Sequence, residues 1–160
     1  MIRNPRGARF GSQRRVASGR ISNQRGATLI EFALCAFLLV MILLAFVEMG
    51  RMLLVYTTVT NAARAGARYA IVHGSTRTGS GVDGPSGPGN DPPEVVQVVS
   101  NFASAGAIDE SRLNITVTYP NGNDIGDPVN VTVVYPYDPL MGYFPLSVSL
   151  RNTTQGVIVF

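Results

Sequence analysis

The chain has 160 residues, 46% of them hydrophobic, with a formal charge of +3, which leaves room for one small domain besides any membrane segment. A single cysteine and a single histidine exclude an internal disulfide framework and a zinc site of the usual Cys/His kind. The charge is unevenly placed: residues 1–26 hold seven arginines (3, 6, 9, 14, 15, 20, 25) and no acid, net +7, whereas residues 27–160 hold six arginines and ten acids, net −4 (6 − 10).

Residues 1–25 are rich in Arg, Gly, Ser, Asn and Gln and offer no apolar period, so they read as disordered. A basic arm of this kind suits either nucleic acid or the inner face of a membrane. Its position against an apolar run, with Phe10 as its only aromatic residue, favours the positive-inside rule, which puts residues 1–26 in the cytoplasm and the rest outside.

From Ala27 to Val47 the chain is apolar except for Thr28 and Glu31. These 21 residues, at 1.5 Å each, make roughly 31 Å of helix, against about 30 Å of bilayer hydrocarbon. Glu31 is the anomaly, since an acidic group at a span's centre costs about 2.5–3.5 kcal/mol, and less near its end. On its own it reads as a carboxylate snorkelling to the headgroups. Cys35 lies about two turns inside the run, which fits a small apolar residue facing lipid or another helix and not a lipidation site. The run is too long for a cleavable secretory signal, and no small-residue site follows it. The small residue, Gly26, lies before it.

No proline interrupts residues 26–84, so the helix is expected to continue to about Val72, some 69 Å in all, with a kink at Gly50. Glu48 and Arg51, three apart, put opposite charges on one face, and Arg64 and Arg68, four apart, share another. Ala62, Ala63, Ala65, Gly66, Ala67 and Ala70 leave a small surface that suits close packing against neighbouring helices; alanine is also simply the best helix former, and the arginines equally describe a solvated face.

Residues 73–93 are a Gly/Pro/Ser-rich breaker segment, with His73 at the helix end. Val95, Val96, Val98, Val99, Phe102 and Ala103 then recur at helical spacing, predicting a short amphipathic helix from Glu94 to about Ala105, with Pro92-Pro93 at its start and Gly106 at its stop. From Leu113 the period becomes two. Leu113, Ile115, Val117 and Tyr119 predict one strand, and Val129, Val131, Val133 and Tyr135 a second, antiparallel to it across the turn 120–128. Leu146, Val148 and Leu150 predict a third, and residues 156–160 a fourth. The triplets at Asn114, Asn130 and Asn152 read as polar strand faces. Residues 121–127 are oxygen-rich but lack an EF-hand's ligand spacing, and read as a plain turn. No nucleophile elbow, phosphate loop or His-containing triad is present, so neither an enzyme nor a cofactor is expected.

The order basic leader, Gly26, Ala27, apolar span and Glu31 as the fifth residue after the glycine resembles the class III signal sequence of type IV pilins. With Glu31-Phe32-Ala33-Leu34, Glu48-Met49-Gly50-Arg51 and the run from Asn61 to Ala70, it resembles a TadE-like pseudopilin of the tight-adherence (Flp) pilus system. The resemblance covers residues 25–72 and extends faintly to Val131–Pro136, while the last ten residues depart from it. It implies cleavage after Gly26 by a prepilin peptidase, pairing of Glu31 with the N-terminal amine of a neighbouring subunit, and helix packing through Phe32, Ala62, Ala63 and Gly66. Its implied partners are that peptidase, other pilins, the inner-membrane assembly platform and the bilayer, with no nucleic acid or small-molecule substrate.

The expected architecture is α+β and pilin-like: a leader (1–26), a membrane and assembly helix (27–72), a loop (73–93) and an extracytoplasmic module (94–160) with an antiparallel sheet and one short packing helix. The expected function is that of a minor pilin acting in pilus assembly, adhesion and biofilm formation. The alternative is a permanently anchored single-pass protein with an extracytoplasmic binding module; a membrane-tethered enzyme is the third and weakest reading.

Overall fold

The computed structural model describes residues 24–140 and 147–160. The leader up to residue 23 and Leu146 of the expected third strand lie outside the described residues. Two compact units make up the chain, Met1–Met41 and Ile42–Phe160.

The first helix, α1, is Gln24–Ile71, and its Leu, Ala and Met content without proline is what a long helix needs. Its residues in the first unit are exposed from Gly26 to Met41 except for Ala36, which is half-buried. The window that is apolar enough to cross a membrane has a mean hydropathy of 2.8 and no residue buried within the chain.

In the second unit, the outer part of α1 buries Val59, Ala62, Ala63, Ala67 and Ala70. With Gly66, these recur at i, i+3, i+4, i+7, i+8 and i+11, the stripe by which a helix faces a core. Against it pack α2, Pro93–Ala105, through Val95, Val99 and Ala103, and the sheet through Val117, Val129, Val131, Val133 and Tyr135. Small residues on α1 let its backbone approach closely. A Cβ built on Gly66 would stand 2.4 Å from Val99 Cγ2, with Val131 at 3.4 Å and Val95 at 3.5 Å.

Pro93 occupies the first turn of α2, where its missing N–H costs nothing. The helix ends at Ala105 with Gly106 at its C-cap, as expected. Ala107 takes the left-handed conformation (φ 59°), with Ile108 N–H donating to Ala103 O (3.2 Å) and Ala107 N–H to Ser104 O (2.9 Å), a Schellman closure. Gly106 serves another end: a Cβ there would lie 2.3 Å from Thr58 Cγ2 on α1.

Three antiparallel strands form the sheet in the order β1 (Asn114–Thr118), β2 (Pro128–Tyr137), β3 (Val148–Val157). Ile115 opposes Val133 and Val117 opposes Val131, so both apolar sets share the core face. A separate fourth strand over residues 156–160 is not found. Nothing between Leu150 and Gly156 breaks a strand, and β3 runs through them, with Gly156 opposite Val129. Gly156 marks close approach instead of a break, since its Cβ would meet Ile71 Cδ1 at 2.4 Å. The free edge of β1 is covered locally by Asp91: Val117 N–H donates to its carboxylate (2.6 Å) and Asp91 N–H donates to Val117 O (3.2 Å).

The Gly/Pro segment 73–93 is packed against the module. Ser86 is buried, its N–H and Oγ donate to His73 O (2.7 and 3.2 Å), and Asn123 Nδ2 donates to Ser86 O (3.1 Å). His73 is buried with its ring stacked on Tyr69, centroids 3.8 Å apart, and its Nδ1 is 2.7 Å from Tyr69 O.

Candidate functional site

The residues expected to carry processing and register lie in the first unit. α1 begins at Gln24, so Gly26 and Ala27 sit in its first turn and not ahead of it. Both are exposed, and nothing lies within 4 Å of a Cβ built on Gly26. Glu31 and Phe32 are exposed as well. An exposed carboxylate and a large exposed ring within an apolar surface are groups whose partners are not supplied by their own surroundings.

In the second unit, α1 meets the end of β2 through a polar cluster. Glu48 accepts from the Tyr137 hydroxyl and from Leu140 N–H, which is 3.3 and 3.2 Å from its two oxygens. The expected Glu48–Arg51 pair forms at 3.9 Å with Arg51 half exposed, a separation and exposure at which an ion pair is worth about 0–1 kcal/mol. Hydrogen bonds to a charged group contribute about 1.5–3 kcal/mol each, so Tyr137 and Leu140 outweigh Arg51 as partners of Glu48. Arg51 also donates to Asp138 O (3.3 Å) and lies over the Tyr137 ring, 5.3 Å from its centroid. Asp138 binds Arg112 (2.6 Å), which donates to Pro136 O (2.9 Å) and covers Tyr135 at 5.4 Å. Burial pushes the Tyr137 phenol above its usual 10.0, and the neighbouring Glu48 carboxylate adds to the rise.

Arg64 and Arg68 stand exposed on α1, and neither makes an ion pair among the described residues. With Asn61, Ala65 and the exposed Phe102 of α2 they line a shallow cleft of about 210 Å³. Ala62, Ala63 and Gly66 are different. They are buried under α2 and the sheet, which corrects their expected role against neighbouring subunits: the chain's own core occupies the space that their small size opens. Tyr137 and Leu140 were beyond sequence reasoning, because they lie 89 and 92 residues from Glu48 and no local period links them to it.

Residues 26–68 match the family model of TadE-like protein. No curated protein and no solved structure matches the chain. The TadE-like segment opens on Gly26 and holds Ala27, Glu31, Phe32, Glu48, Arg51, Ala62, Ala63, Arg64, Gly66 and Arg68. The match suggests a Tad pilus-associated protein with an N-terminal apolar helix. Arg112, Tyr137, Asp138 and Leu140 lie beyond the matched residues.

Proposed function

We propose that the chain is a minor pilin of a tight-adherence pilus, inserted in the inner membrane with residues 1–26 in the cytoplasm, cut after Gly26 by a prepilin peptidase and assembled through its N-terminal helix. The observation that carries this reading is the TadE-like match, which begins at the glycine of the expected cut and includes Glu31. In the assembled state the Glu31 carboxylate pairs with the Ala27 amine of a neighbouring subunit. A buried pair of opposite charges is tolerated where a lone charge is not, and removing one partner costs about 3–5 kcal/mol. Arg64 and Arg68 then supply a polar face for other subunits, and the pilus serves adhesion and biofilm formation.

The test is the intact mass and N-terminal sequence of the protein taken from its native membrane, beside a Gly26→Ala variant. The expected result is a mature chain starting at Ala27, with the variant keeping its leader and failing to assemble. A wild-type chain that retains the leader would overturn the proposal and favour a permanently anchored protein with an outer binding module.

A further inference from the structure

The exposed apolar surface of α1 outlasts the apolar run of the sequence. Beyond Val47, Met49, Leu53 and Tyr56 are exposed and Leu54 is 70% exposed. Apart from Arg51, the exposed residues of the helix beyond Val47 turn polar only at Thr57, Asn61, Arg64 and Arg68. Two charges interrupt this surface, and both are held by the chain itself. The Glu48 side chain is 22% exposed and takes hydrogen bonds from Tyr137 and Leu140, while Arg51 lies over Tyr137 and donates to Asp138 O. Leu140, placed by that contact beside Glu48, is 74% exposed.

Ala27 to Tyr56 is 30 residues, which at 1.5 Å per residue rise about 45 Å along the helix. A bilayer measures about 30 Å across its hydrocarbon and about 40–45 Å with its headgroup layers. The apolar surface therefore matches the whole bilayer, headgroups included. The groups clustered around its outer end are those that prefer that layer: tyrosines with an apolar ring and a polar tip, and arginines that keep the guanidinium at the phosphates while the stem lies in apolar surroundings.

We propose that the end of the β module formed by Arg51, Leu54, Arg112, Tyr137 and Leu140 is seated in the lipid headgroup layer of the leaflet that α1 enters on the module's side. This rests on α1 spanning the membrane, and on nothing about processing or assembly. The occupant is lipid because the patch continues the lipid-facing surface of the span, interrupted only by Glu48 and Arg51, whose charges are met by the chain's own groups. Seating the module this way fixes its height on the membrane, and it places Glu48 where its intrachain partners replace water.

The test uses the full chain with Cys35→Ser and single cysteines at Leu39, Leu54, Leu140 or Gln155, each carrying an environment-sensitive fluorophore, in phosphatidylcholine/phosphatidylglycerol vesicles. Gln155 is exposed and lies toward the β3 end opposite Val148, so it is the water-side control. The expected result is blue-shifted emission at positions 54 and 140, quenched by headgroup-spin-labelled lipid, with position 155 unshifted and unquenched and position 39 quenched by acyl-chain spin labels. Quenching at 39 with positions 54 and 140 behaving like 155 would overturn the headgroup seat alone. No acyl-chain quenching at 39 would overturn the span and the seat together. Shielding at 54 and 140 that disappears on diluting the protein in lipid would assign the patch to chain–chain contact and overturn the seat.

Discussion

Replacing Gly66 by alanine sets two effects of known size against each other. Alanine in a helix interior is favoured over glycine by about 0.8–1 kcal/mol, so at an open site the change stabilises. At Gly66 the new methyl would lie 2.4 Å from Val99 Cγ2, and Val99 is fully buried on α2. Valine is held to one side-chain rotamer in a helix, so the overlap of about 1 Å falls on the packing of α2 against α1 and not on a side chain free to turn. Overpacking of this kind costs typically about 1–3 kcal/mol, and the stiffness of the neighbour puts Gly66 in the upper part of that range. The net expectation is destabilisation by about 1–2 kcal/mol, a fall in Tm of roughly 3–10 °C for a folded unit of this size. Gly50 is the internal control, because nothing lies within 4 Å of a Cβ built there, and Gly50→Ala should raise stability or leave it unchanged. The assay is thermal unfolding in detergent followed by near-ultraviolet circular dichroism, with the variants Gly66→Ala, Gly50→Ala, Val99→Ala and Gly66→Ala/Val99→Ala. Relief of the overlap makes the double variant more stable than the two single losses predict. A Gly66→Ala protein as stable as Gly50→Ala, or strict additivity in the double variant, would refute the claim that close packing of α1 on α2 is what requires glycine at position 66.

Gly156→Ala should cost less than Gly66→Ala, because its new Cβ would meet the free end of the half-buried Ile71 side chain; thermal unfolding of the two variants side by side checks the order. Tyr69, Tyr119 and Tyr137 all have phenol pKa values raised from 10.0, burial being the largest cause in each. A raised folded-state value means that the folded chain holds these protons more tightly than the unfolded chain, so the stability is fully present below pH 10.0 and is lost as pH rises through the folded values. Denaturant midpoints should therefore fall above pH 10.0, and by less in Tyr137→Phe; that variant should also lose about 1.5 kcal/mol at neutral pH with its bond to Glu48. Arg64→Glu and Arg68→Glu should change stability by no more than about 0.5 kcal/mol, since both side chains are exposed. The same variants should lose pilus assembly if this face meets other subunits, read by electron microscopy of the cells against Tm of the purified proteins.

Most of the α+β architecture was legible because periodicity reports burial. The recurrence at Val95, Val99 and Ala103 gave α2, and the alternation at Val129, Val131, Val133 and Tyr135 gave the buried face of β2. What periodicity leaves open is the identity of the covering surface. The stripe Ala62, Ala63, Gly66 has the same sequence signature whether it faces another subunit or its own sheet, and the structure resolves this in favour of the chain's own core. The expected fourth strand over residues 156–160 failed for a related reason. A strand glycine can mark a break or a close approach, and only the position of Ile71 distinguishes them.

The same logic governs what remains for partners. Among the small residues of α1, Ala62, Ala63, Ala67 and Ala70 are consumed by the chain's own core, so close helix-to-helix approach between subunits cannot use them without unfolding the module. Two surfaces of α1 are left. One is apolar and runs to Tyr56; the other is polar and carries Asn61, Arg64 and Arg68. A subunit contact on the first competes with lipid, which is as apolar as the side chains themselves, so only packing and polar groups such as Glu31 can make it selective. A contact on the second competes with water and must be met by acidic or hydrogen-bonding groups to repay the desolvation of two guanidiniums. Selectivity in assembly is therefore expected to reside in few residues, Glu31 on one surface and the arginine pair on the other, and not in the alanine-rich stripe that the sequence displays most openly.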